Sequence, residues 1–281
     1  MDCDGMAKHK KRKLQGNLHK PSKPASKPTS FKASSKANVA RAAHKNKTQP
    51  TIPFQPEDRI LLVGEGDFSF AKSIVKEHGC CDITATCYDS KEVLYRKYDP
   101  QAEEHVSYLE DEGQTVLCGV DATKLDMNRN LTKSRDLFHV ILFNFPHVGG
   151  KSTDVNRQVR FNQELLVNFF KAAINLLAAS GTIVVTLFEG EPYTLWNIRD
   201  LARHSGLEVQ RSFKFLADAY PGYSHARTLG NIEGGGGWKG EDREARSYIF
   251  QQKGEKVAVK KSNVNAKRKR PEVDSDNDDD R

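Results

Sequence analysis

The chain has 281 residues, 37% of them hydrophobic, and a formal net charge of +7. This length allows one good-sized domain or two small ones. No apolar run is long enough to span a membrane, and no apolar segment follows the charged N-terminus, so neither a membrane protein nor a secretory signal peptide is predicted. The five cysteines show no C-x-x-C spacing, which argues against a zinc or other metal site and is typical of reduced thiols in an intracellular protein.

The positive charge lies at the two ends of the chain. Residues 1–50 hold 13 basic and two acidic residues, residues 253–281 hold nine and seven, and the region between them is net acidic, with 22 and 28. We predict both ends to be disordered tails, because such segments cannot bury enough apolar surface to offset their ordering entropy. The runs KHKKRK (8–13) and KRKR (267–270) are typical of nuclear import signals or nucleic-acid patches, although solvated tails also carry such runs.

Residues 51–252 are predicted to form one domain in which strands and helices alternate. The first half reads as a strand at 59–63, a helix at 68–78, a strand at 83–87, a helix at 103–112 and strands at 115–120 and 138–145. The second half reads as a helix at 154–179, a strand at 182–188, a helix at 195–204 and two late strands at 207–213 and 245–250.

This order predicts an α/β fold. Alternating strands and helices form a mostly parallel sheet with helices on both faces. Two late strands with no clear helix between them predict an antiparallel hairpin at one edge. The result is the seven-stranded, Rossmann-like sheet of class I methyltransferases, whereas a dehydrogenase would keep a helix at that edge.

Acidic and amide side chains follow the predicted strands. In an open α/β sheet, ligands bind beyond the carboxyl ends of the strands. The residues found there are Gly64–Asp67, Asp89, Asp121, Asn144–His147 and Glu189–Glu191. Loop acids exposed to water would explain each of these positions singly, but they explain the series less well. We therefore predict a ligand site at this edge of the sheet.

The loop after the first strand, GEGDFS, departs from the dinucleotide fingerprint G-x-G-x-x-G. Ser69 replaces the third glycine, and Glu65 and Asp67 flank Gly66. Carboxylates oppose a pyrophosphate at a helix N-terminus, but they suit a ligand that carries positive charge. S-adenosylmethionine has a sulfonium and an ammonium group and no phosphate. We therefore predict that this loop binds S-adenosylmethionine through Gly64, Glu65, Gly66, Asp67 and Phe68.

Two further acids complete the predicted cofactor site. Asp89 lies 23 residues after Gly66, close to the spacing of about 20 expected for an acid that binds ribose hydroxyls. Asp121 follows the third strand, where it is placed to reach an adenine amino group.

The segment FNFPH (143–147) ends the strongest predicted strand. It resembles the Asn-Pro-Pro-Tyr type of motif in methyltransferases that act on nitrogen in planar substrates. Phe145 stands in place of the first proline and His147 in place of the aromatic residue. A strand simply ended by a proline is the alternative interpretation. Arg157, in the segment that follows, is predicted to meet phosphates.

A second aromatic and cationic segment is YPGYSHARTLGN (220–231). Interleaved aromatic and cationic side chains suit a stacked base beside a phosphate, so Tyr223, His225 and Arg227 are predicted to contact the substrate, together with Phe145. The glycine-rich run at 234–240 is predicted to be a flexible loop with an anchoring Trp238.

These motifs together resemble the eukaryotic large-subunit (25S-like) rRNA uridine-N3 methyltransferase family. The resemblance is carried by LLVGEGDFSFAKSI, FNFPHVGG, the helix at 156–168, VTLFEGEPYTLWNI and YPGYSHARTLGN, and it covers 60–250. It implies a Rossmann-like, S-adenosylmethionine-dependent enzyme of the nucleolus that methylates N3 of one uridine. By motif, Gly64, Gly66 and Asp89 would bind the cofactor, and Asn144, Pro146 and His147 would face the uracil as the catalytic residues.

The implied reaction sets chemical requirements. Uracil N3 is a weakly acidic imide nitrogen that must lose its proton, so a proton acceptor is needed. His147 is the first candidate, with His225, Asp154 and Glu189 in reserve. The base must be unpaired or flipped out, and the basic N-terminal tail would attach to rRNA or a pre-ribosomal particle in a salt-sensitive way. We expect a nuclear and nucleolar monomer with no membrane partner.

Two other classes of protein remain open on the sequence. A NAD-type dinucleotide enzyme is disfavoured by the acids around Gly66, and binding of NAD without S-adenosylmethionine would establish it. A non-catalytic ribosome-assembly factor would keep the fold and bind rRNA without turnover. The retained glycines, Asp89 and the Asn-x-Pro-His motif argue against a dead site.

Overall fold

The computed structural model describes residues 49–133, 137–150, 152–231 and 240–254. The predicted tails therefore lie almost wholly outside the described residues, as does most of the glycine-rich run at 234–240. Within the described ranges, no helix is long and apolar enough to cross a membrane.

The folded region alternates strands and helices through most of its length. Its first half contains β1 (Arg59–Leu62), α1 (Ser69–His78), β2 (Asp82–Thr86), α2 (Lys91–Lys97), α3 (Gln101–Asp111), β3 (Thr115–Leu117) and α4 (Arg129–Thr132). Its second half contains β4 (Phe138–Asn144), α5 (Val155–Ile174), β5 (Leu177–Phe188), α6 (Ile198–His204), β6 (Leu207–Phe215) and β7 (Ala245–Gln252).

The seven strands form one sheet in the order β3-β2-β1-β4-β5-β7-β6. Strands β1 to β5 pair in parallel, whereas β7 is antiparallel to both of its neighbours. The predicted Rossmann-like fold with an antiparallel edge hairpin is confirmed. Since the order reverses between β1 and β4, the carboxyl ends of these strands flank the crevice in which such sheets bind ligands.

Two apolar layers hold the helices against the sheet. Ile60 and Leu62 of β1 pack into one layer with α1 and α3. Leu61 packs into the other layer with α5 and α6. Because successive strand residues point to opposite faces, a strand covered on both sides must be apolar throughout. This explains the unbroken run ILLV, in which each residue is at most 1% exposed.

Two parts of the chain differ most clearly from the sequence-based prediction. Helix α5 ends at Ile174 rather than at 179, and β5 begins at Leu177, because Leu177 pairs with Phe138 of β4 before an irregular stretch of the strand. The predicted single helix at 103–112 is preceded by a separate helix α2. Pro100 caps the beginning of α3, where a missing backbone N–H costs nothing.

Candidate active site

A cavity of about 790 Å³ lies beyond the carboxyl ends of the central strands. Ligand sites for small molecules have volumes of about 300–1,000 Å³, so this cavity can hold a nucleoside cofactor and part of a substrate. Its lining includes most of the predicted site residues: Gly64, Glu65, Gly66, Asp67, Asp89, Asp121, Asn144, Phe145, His147, Tyr223, His225 and Arg227.

Both glycines of the loop after β1 have a steric reason to be glycine. Gly64 has φ +68°, a left-handed conformation, and a Cβ there would lie 2.6 Å from Cε2 of Phe143. A Cβ on Gly66 would lie 2.6 Å from Cβ of Ala226. Real Cβ atoms do not approach other carbon atoms this closely, so the loop depends on bare backbone at both positions. The bare backbone forms a cradle at one side of the cavity.

Two carboxylates hold this loop to helix α1. Asp67 is 5% exposed, and its Oδ1 accepts a hydrogen bond from the backbone N–H of Ser69 at 3.0 Å. Oε2 of Glu65 accepts from the N–H of Ala71 at 3.3 Å. Desolvation, followed by the charge of nearby Asp67, raises the pKa of Glu65 to about 8. Glu65 is therefore an acid whose ionised form needs a cation beside it.

Asp89 follows β2 by three residues and is bound to Lys97. The Nζ of Lys97 donates to both carboxylate oxygens of Asp89, at 3.0 and 2.8 Å, and to the carbonyl oxygen of Thr228 at 3.3 Å. An ionised carboxylate accepts about four hydrogen bonds. Asp89 therefore keeps acceptor capacity for hydroxyl groups in the cavity.

Asp121 stands at the start of a short 3-10 helix (Ala122–Met127). Its Oδ1 accepts from the backbone N–H of Thr123 at 2.9 Å and from the hydroxyl of Thr123 at 2.7 Å. Its Oδ2 lies 3.8 Å from Nζ of Lys124. One carboxylate oxygen is thus committed to the turn, and the other can accept from a ligand amino group.

These features fit S-adenosylmethionine better than a dinucleotide. The cradle is formed by Gly64 and Gly66, whose Cβ atoms would collide with their neighbours. Glu65 can ionise beside the sulfonium and ammonium groups of the cofactor, whereas the carboxylate of Asp67 would repel a pyrophosphate. Asp89 and Asp121 have acceptor capacity for the ribose hydroxyls and the adenine amino group.

The end of β4 presents an unusual polar group. Oδ1 of Asn144 accepts from the hydroxyl of Thr186 at 2.7 Å. Nδ2 of Asn144 is buried and has no hydrogen-bond partner among the described residues. A buried donor without a partner costs about 1–3 kcal/mol. Such a group at the wall of a cavity is typical of a donor that a ligand completes.

The other residues of the FNFPH motif divide between the cavity and the core. Phe145 has φ +50°, and its ring packs against Phe188 and His225, with centroids 4.5 and 4.6 Å apart. Phe145 is therefore part of an aromatic cluster at the cavity wall. Pro146 is buried and is not part of the cavity lining, so its expected contact with the substrate is not brought about by the structure.

His147 lines the cavity in a defined tautomer. Its Nδ1 accepts a hydrogen bond from the backbone N–H of Gly149 at 2.9 Å. Burial lowers the pKa of His147, so the ring is neutral at pH 7. A neutral imidazole that accepts at Nδ1 carries its proton on Nε2. In this arrangement His147 offers an N–H donor, and it would have to release Gly149 before it could accept a proton.

Residues 220–231 cross the glycine loop and form what we call the cover segment. The hydroxyl of Ser69 donates to the carbonyl oxygen of Ser224 at 3.0 Å and lies 3.1 Å from its backbone N. The hydroxyl of Tyr98 donates to the carbonyl oxygen of Arg227 at 2.7 Å. Asn231 donates its backbone N–H to the carbonyl oxygen of Lys97 at 2.7 Å. The cover segment is therefore fastened to the predicted cofactor side of the cavity.

Tyr223 and His225 of the cover segment are largely buried beside each other. The hydroxyl of Tyr223 lies 3.1 Å from Nδ1 of His225, and the Tyr223 ring packs against Phe70 and Phe215. Burial lowers the pKa of His225 to about 4 and raises the pKa of Tyr223. Both side chains are neutral at pH 7 and serve as walls of the cavity.

Besides Pro146, two predicted site residues lie away from the cavity. Phe68 is fully buried in the core at the start of α1, because its left-handed backbone, φ +63°, turns the chain into the helix there. Arg157 lies exposed on the first turn of α5 and is not part of the lining. Since α5 begins at Val155, Arg157 lies on the helix predicted at 154–179, and its expected contact with phosphates stays a prediction.

The two reserve acids have structural partners. The side chain of Asp154 accepts from the backbone N–H of Arg157 at 3.1 Å and so caps α5. Oε1 of Glu189 accepts from Nε of Arg246 at 2.6 Å. Neither carboxylate belongs to the cavity lining.

Sequence reasoning missed several residues of the cavity wall. Arg243 lies 4.1 Å from the ring centroid of Phe188 and 5.5 Å from that of Tyr193, and all three line the cavity. Lys97 and Tyr98 of the opposite wall were also missed. Arg243, Lys97 and Tyr98 belong to none of the quoted motifs. Phe188 and Tyr193 lie within VTLFEGEPYTLWNI (185–198), and their place in that motif is a signal that could have been used.

Comparisons with known proteins agree with this geometry. The family model described as rRNA (uridine-N3-)-methyltransferase BTM5-like matches residues 61–227. The 25S rRNA (uridine(2634)-N(3))-methyltransferase of Saccharomyces cerevisiae is 32% identical over 81% of this chain and 81% of its own length. The heavy metal-associated isoprenylated plant protein 41 of Arabidopsis thaliana is 37% identical over 62% of this chain and 34% of its own length.

A solved structure, that of a putative methyltransferase from Thermoplasma acidophilum, is 13% identical, with a TM-score of 0.43 and coverage of 72% of this chain and 70% of that one. The family model extends from β1, through the glycine loop and the end of β4, to Arg227 of the cover segment. The chain therefore belongs to the BMT5-like family of rRNA (uridine-N3)-methyltransferases.

Proposed function

We propose that this protein transfers a methyl group from S-adenosylmethionine to N3 of a uridine in large-subunit rRNA. The observation that carries the proposal is the buried, unpartnered Nδ2 of Asn144, on the strand next to the acid-flanked glycine loop. A cradle suited to a cationic cofactor and a free donor suited to a base carbonyl line the same cavity. The name of the yeast relative describes this same reaction for that protein.

Each wall of the cavity has a part in the proposed reaction. Gly64, Gly66 and Glu65 hold the methionine part of the cofactor, and Asp89 and Asp121 hold its nucleoside. When bound, the cofactor supplies an electrophilic methyl group on a positively charged sulfur. Asn144 and His147 hold the uracil from the end of β4, where an N–H donor stabilises negative charge on a carbonyl oxygen.

The surroundings of the domain fit an RNA substrate. Between the tails the chain is net acidic, whereas residues 1–50 hold 13 basic residues and two acidic ones. We propose that the basic tail gives the non-specific, salt-sensitive attachment to rRNA or a pre-ribosomal particle, and that the two basic runs direct the protein to the nucleus and nucleolus. A monomer is sufficient for this scheme, because all the named residues belong to one chain.

The test is a titration followed by product mapping. Full-length protein is titrated calorimetrically with S-adenosylmethionine and, separately, with NAD. It is then incubated with S-adenosylmethionine and large-subunit rRNA from cells in which the gene has been deleted, and nucleosides are analysed by mass spectrometry. We expect binding of S-adenosylmethionine alone and formation of 3-methyluridine. Folded protein that binds neither cofactor and forms no methylated nucleoside would contradict the proposal and favour an assembly factor.

A further inference from the structure

Three polar side chains form a line across the sheet below the active site. Asn144 of β4 is the register partner of Thr186 of β5, and Thr186 is the register partner of Ser247 of β7. The hydroxyl of Thr186 donates to Oδ1 of Asn144 at 2.7 Å and lies 2.9 Å from the hydroxyl of Ser247. Thr186 is 0% exposed and Ser247 is 2% exposed. Burying a hydroxyl group in an apolar sheet costs free energy unless the hydroxyl is hydrogen-bonded. Thr186 and Ser247 meet this requirement through each other and through Asn144.

The line of hydrogen bonds has a direction. A hydroxyl group has one proton to donate, and Thr186 gives its proton to Asn144. Ser247 must then donate to Thr186, and the hydrogen bond from Thr186 holds the amide oxygen of Asn144 toward β5. What remains for the cavity is Nδ2, which is buried and without a partner among the described residues. The two hydroxyls thus fix which end of the amide a ligand meets.

His147 has its polarity fixed in the same sense. The N–H of Gly149 donates to its Nδ1 at 2.9 Å, which leaves the ring proton on Nε2. Asn144 and His147, the two polar side chains of the FNFPH motif that line the cavity, are therefore both oriented so that the group left for a ligand is an N–H donor. Thr186, the donor to Asn144, does not line the cavity, whereas Gly149, the donor to His147, does.

Uracil and cytosine differ in the groups that two N–H donors would meet on either side of N3. In uracil, N3 lies between two carbonyl groups, so both neighbours are acceptors. In cytosine, one neighbour of N3 is an amino group, which is a donor and would meet the donor of Asn144 or His147. When uracil N3 loses its proton, negative charge spreads onto the two carbonyl oxygens, and N–H donors at those oxygens stabilise it.

We propose that Thr186 and Ser247 are positioning residues which fix Asn144 as a donor, so that Asn144 and His147 together select a pyrimidine with carbonyls on both sides of N3. This inference rests on the proposed function and names its base selectivity. In the step concerned, the N3–H bond breaks and its proton passes to water. The N3–C bond forms as the S–C bond breaks, and the sulfonium becomes a neutral thioether.

The test removes the hydroxyl of Thr186 while keeping its shape. Thr186→Val frees the amide of Asn144 to turn, and Thr186→Ser keeps the hydroxyl. Full-length variants are assayed with S-adenosylmethionine on large-subunit rRNA from cells lacking the gene, with 3-methyluridine and 3-methylcytidine quantified by mass spectrometry. We expect Thr186→Val to lower kcat about tenfold with little change in KM. This is less than outright loss of the donor would cost, because Asn144 keeps its amide but is no longer held in one orientation. The ratio of 3-methylcytidine to 3-methyluridine should rise, and Thr186→Ser should restore both quantities to within about threefold.

Two controls separate orientation from folding. Thr84→Val removes a buried hydroxyl from β2, which β1 separates from β4, and is expected to leave kcat and product ratio unchanged. Affinity for S-adenosylmethionine, measured by calorimetry, should equal that of the wild type in every variant. If Thr186→Val fails to fold, Ser247→Ala takes its place, with an expected fall in kcat of about threefold to fivefold because only the second hydrogen bond is lost.

The outcomes are distinct from failure of the proposed function. Wild-type protein that forms no 3-methyluridine would overturn the proposed function itself. Wild-type activity with an unchanged kcat and product ratio in Thr186→Val or in Ser247→Ala would overturn the inference alone. An equal loss of activity in Thr186→Val and Thr186→Ser would also overturn it, because the hydroxyl would then not be the group that matters.

Discussion

The two sides of the cavity differ in how their polar groups are satisfied. On the side of β1 and β2, the protein itself supplies partners for the acids: Asp67 has the N–H of Ser69, and Asp89 has Lys97. On the side of β4, Nδ2 of Asn144 is buried without a partner among the described residues. We call these the cofactor side and the substrate side.

The difference indicates how much of each side is complete before a ligand arrives. A carboxylate that is already hydrogen-bonded keeps its position, so the cofactor side is rigid and preformed. An unsatisfied buried donor destabilises the protein until a ligand accepts from it. On the substrate side, the binding energy therefore depends on one type of ligand group, a carbonyl oxygen that accepts from the unpartnered donor. This dependence favours selectivity for the ligand over affinity.

The largest expected effect comes from reversing the polarity of the substrate side. Asn144→Asp replaces the donor with a carboxylate, which would face the carbonyl oxygens of the base. Loss of one oriented donor costs about 10²–10³ in kcat, and we expect at least this loss in a single-turnover methylation assay. Calorimetric affinity for S-adenosylmethionine should change by less than about threefold, within the scatter of such effects.

The matched control for this variant is Asn130→Asp, the same change at an exposed residue of α4, which should be as active as the wild type. If Asn144→Asp weakened cofactor binding as strongly as it lowered kcat, the division of the cavity into two sides would be wrong.

A smaller effect is expected when the cofactor side is crowded. A Cβ on Gly66 would lie 2.6 Å from Cβ of Ala226 in the cover segment. Overpacking of this kind costs about 1–3 kcal/mol, so Gly66→Ala should raise the Kd for S-adenosylmethionine about 5- to 150-fold. The double variant Gly66→Ala/Ala226→Gly removes the collision and should recover most of the affinity in calorimetry.

Ala226→Gly alone serves as the control for added backbone freedom in the cover segment, and its Kd should stay within about threefold of the wild type. A double variant as weak as Gly66→Ala would mean that the new Cβ meets the cofactor itself rather than the cover segment.

The smallest effect is a pH dependence of the cofactor side. Desolvation raises the pKa of Glu65 to about 8 from its ordinary value of 4.5, so Glu65 is neutral in the free protein at pH 7. A cationic cofactor favours the ionised form, and binding should release a proton. Affinity for S-adenosylmethionine should therefore rise by up to about tenfold per pH unit between pH 6 and 8 and level off above pH 8.

Glu65→Gln removes the titrating group, and its affinity should vary less with pH over the same range. The same shift has a consequence for stability. Between pH 4.5 and 8 the folded state holds a proton that the unfolded chain has lost, so the free energy of unfolding of the ligand-free protein falls as pH rises through that range. A wild-type Kd that is constant from pH 6 to 8 would contradict the assignment of Glu65 to the cation.

The sequence predicted the parts of this molecule that depend on local pattern. The order of strands and helices follows from apolar runs and from glycines at their ends. Gly64, Gly66, Asp89, Asp121 and Asn144 reach one cavity because the carboxyl ends of parallel strands meet at one edge of the sheet. Their presence in one cavity was therefore predictable without knowledge of any contact distance.

Contacts set by strand register or by helix boundaries were beyond prediction. Thr186 and Ser247 reach Asn144 only because β5 and β7 pair with it in one particular register. Phe68 was placed in the site, but its left-handed backbone puts it in the core. Arg157 was predicted to contact the substrate, but it lies exposed on the first turn of α5 and outside the cavity lining. Errors of this kind arise wherever one residue's position is decided by a neighbouring element.

The irregular stretch of β5 has a consequence for a distant part of the sheet. Phe138 pairs with Leu177, but Val140 pairs with Thr182, and from there the pairing continues step by step to Asn144 and Thr186. His139 of β4 thus faces the four residues 178–181, which makes three residues of extra length before the regular pairing begins, with Ala179 and Ser180 exposed. Deleting one residue from regular pairing would shift every later pair and reverse the facing of its side chains. The irregular stretch can absorb a deletion that the regular strand cannot. A change of chain length in β5 therefore keeps Thr186 opposite Asn144, and with it the proposed base selectivity, only if it falls before Thr182.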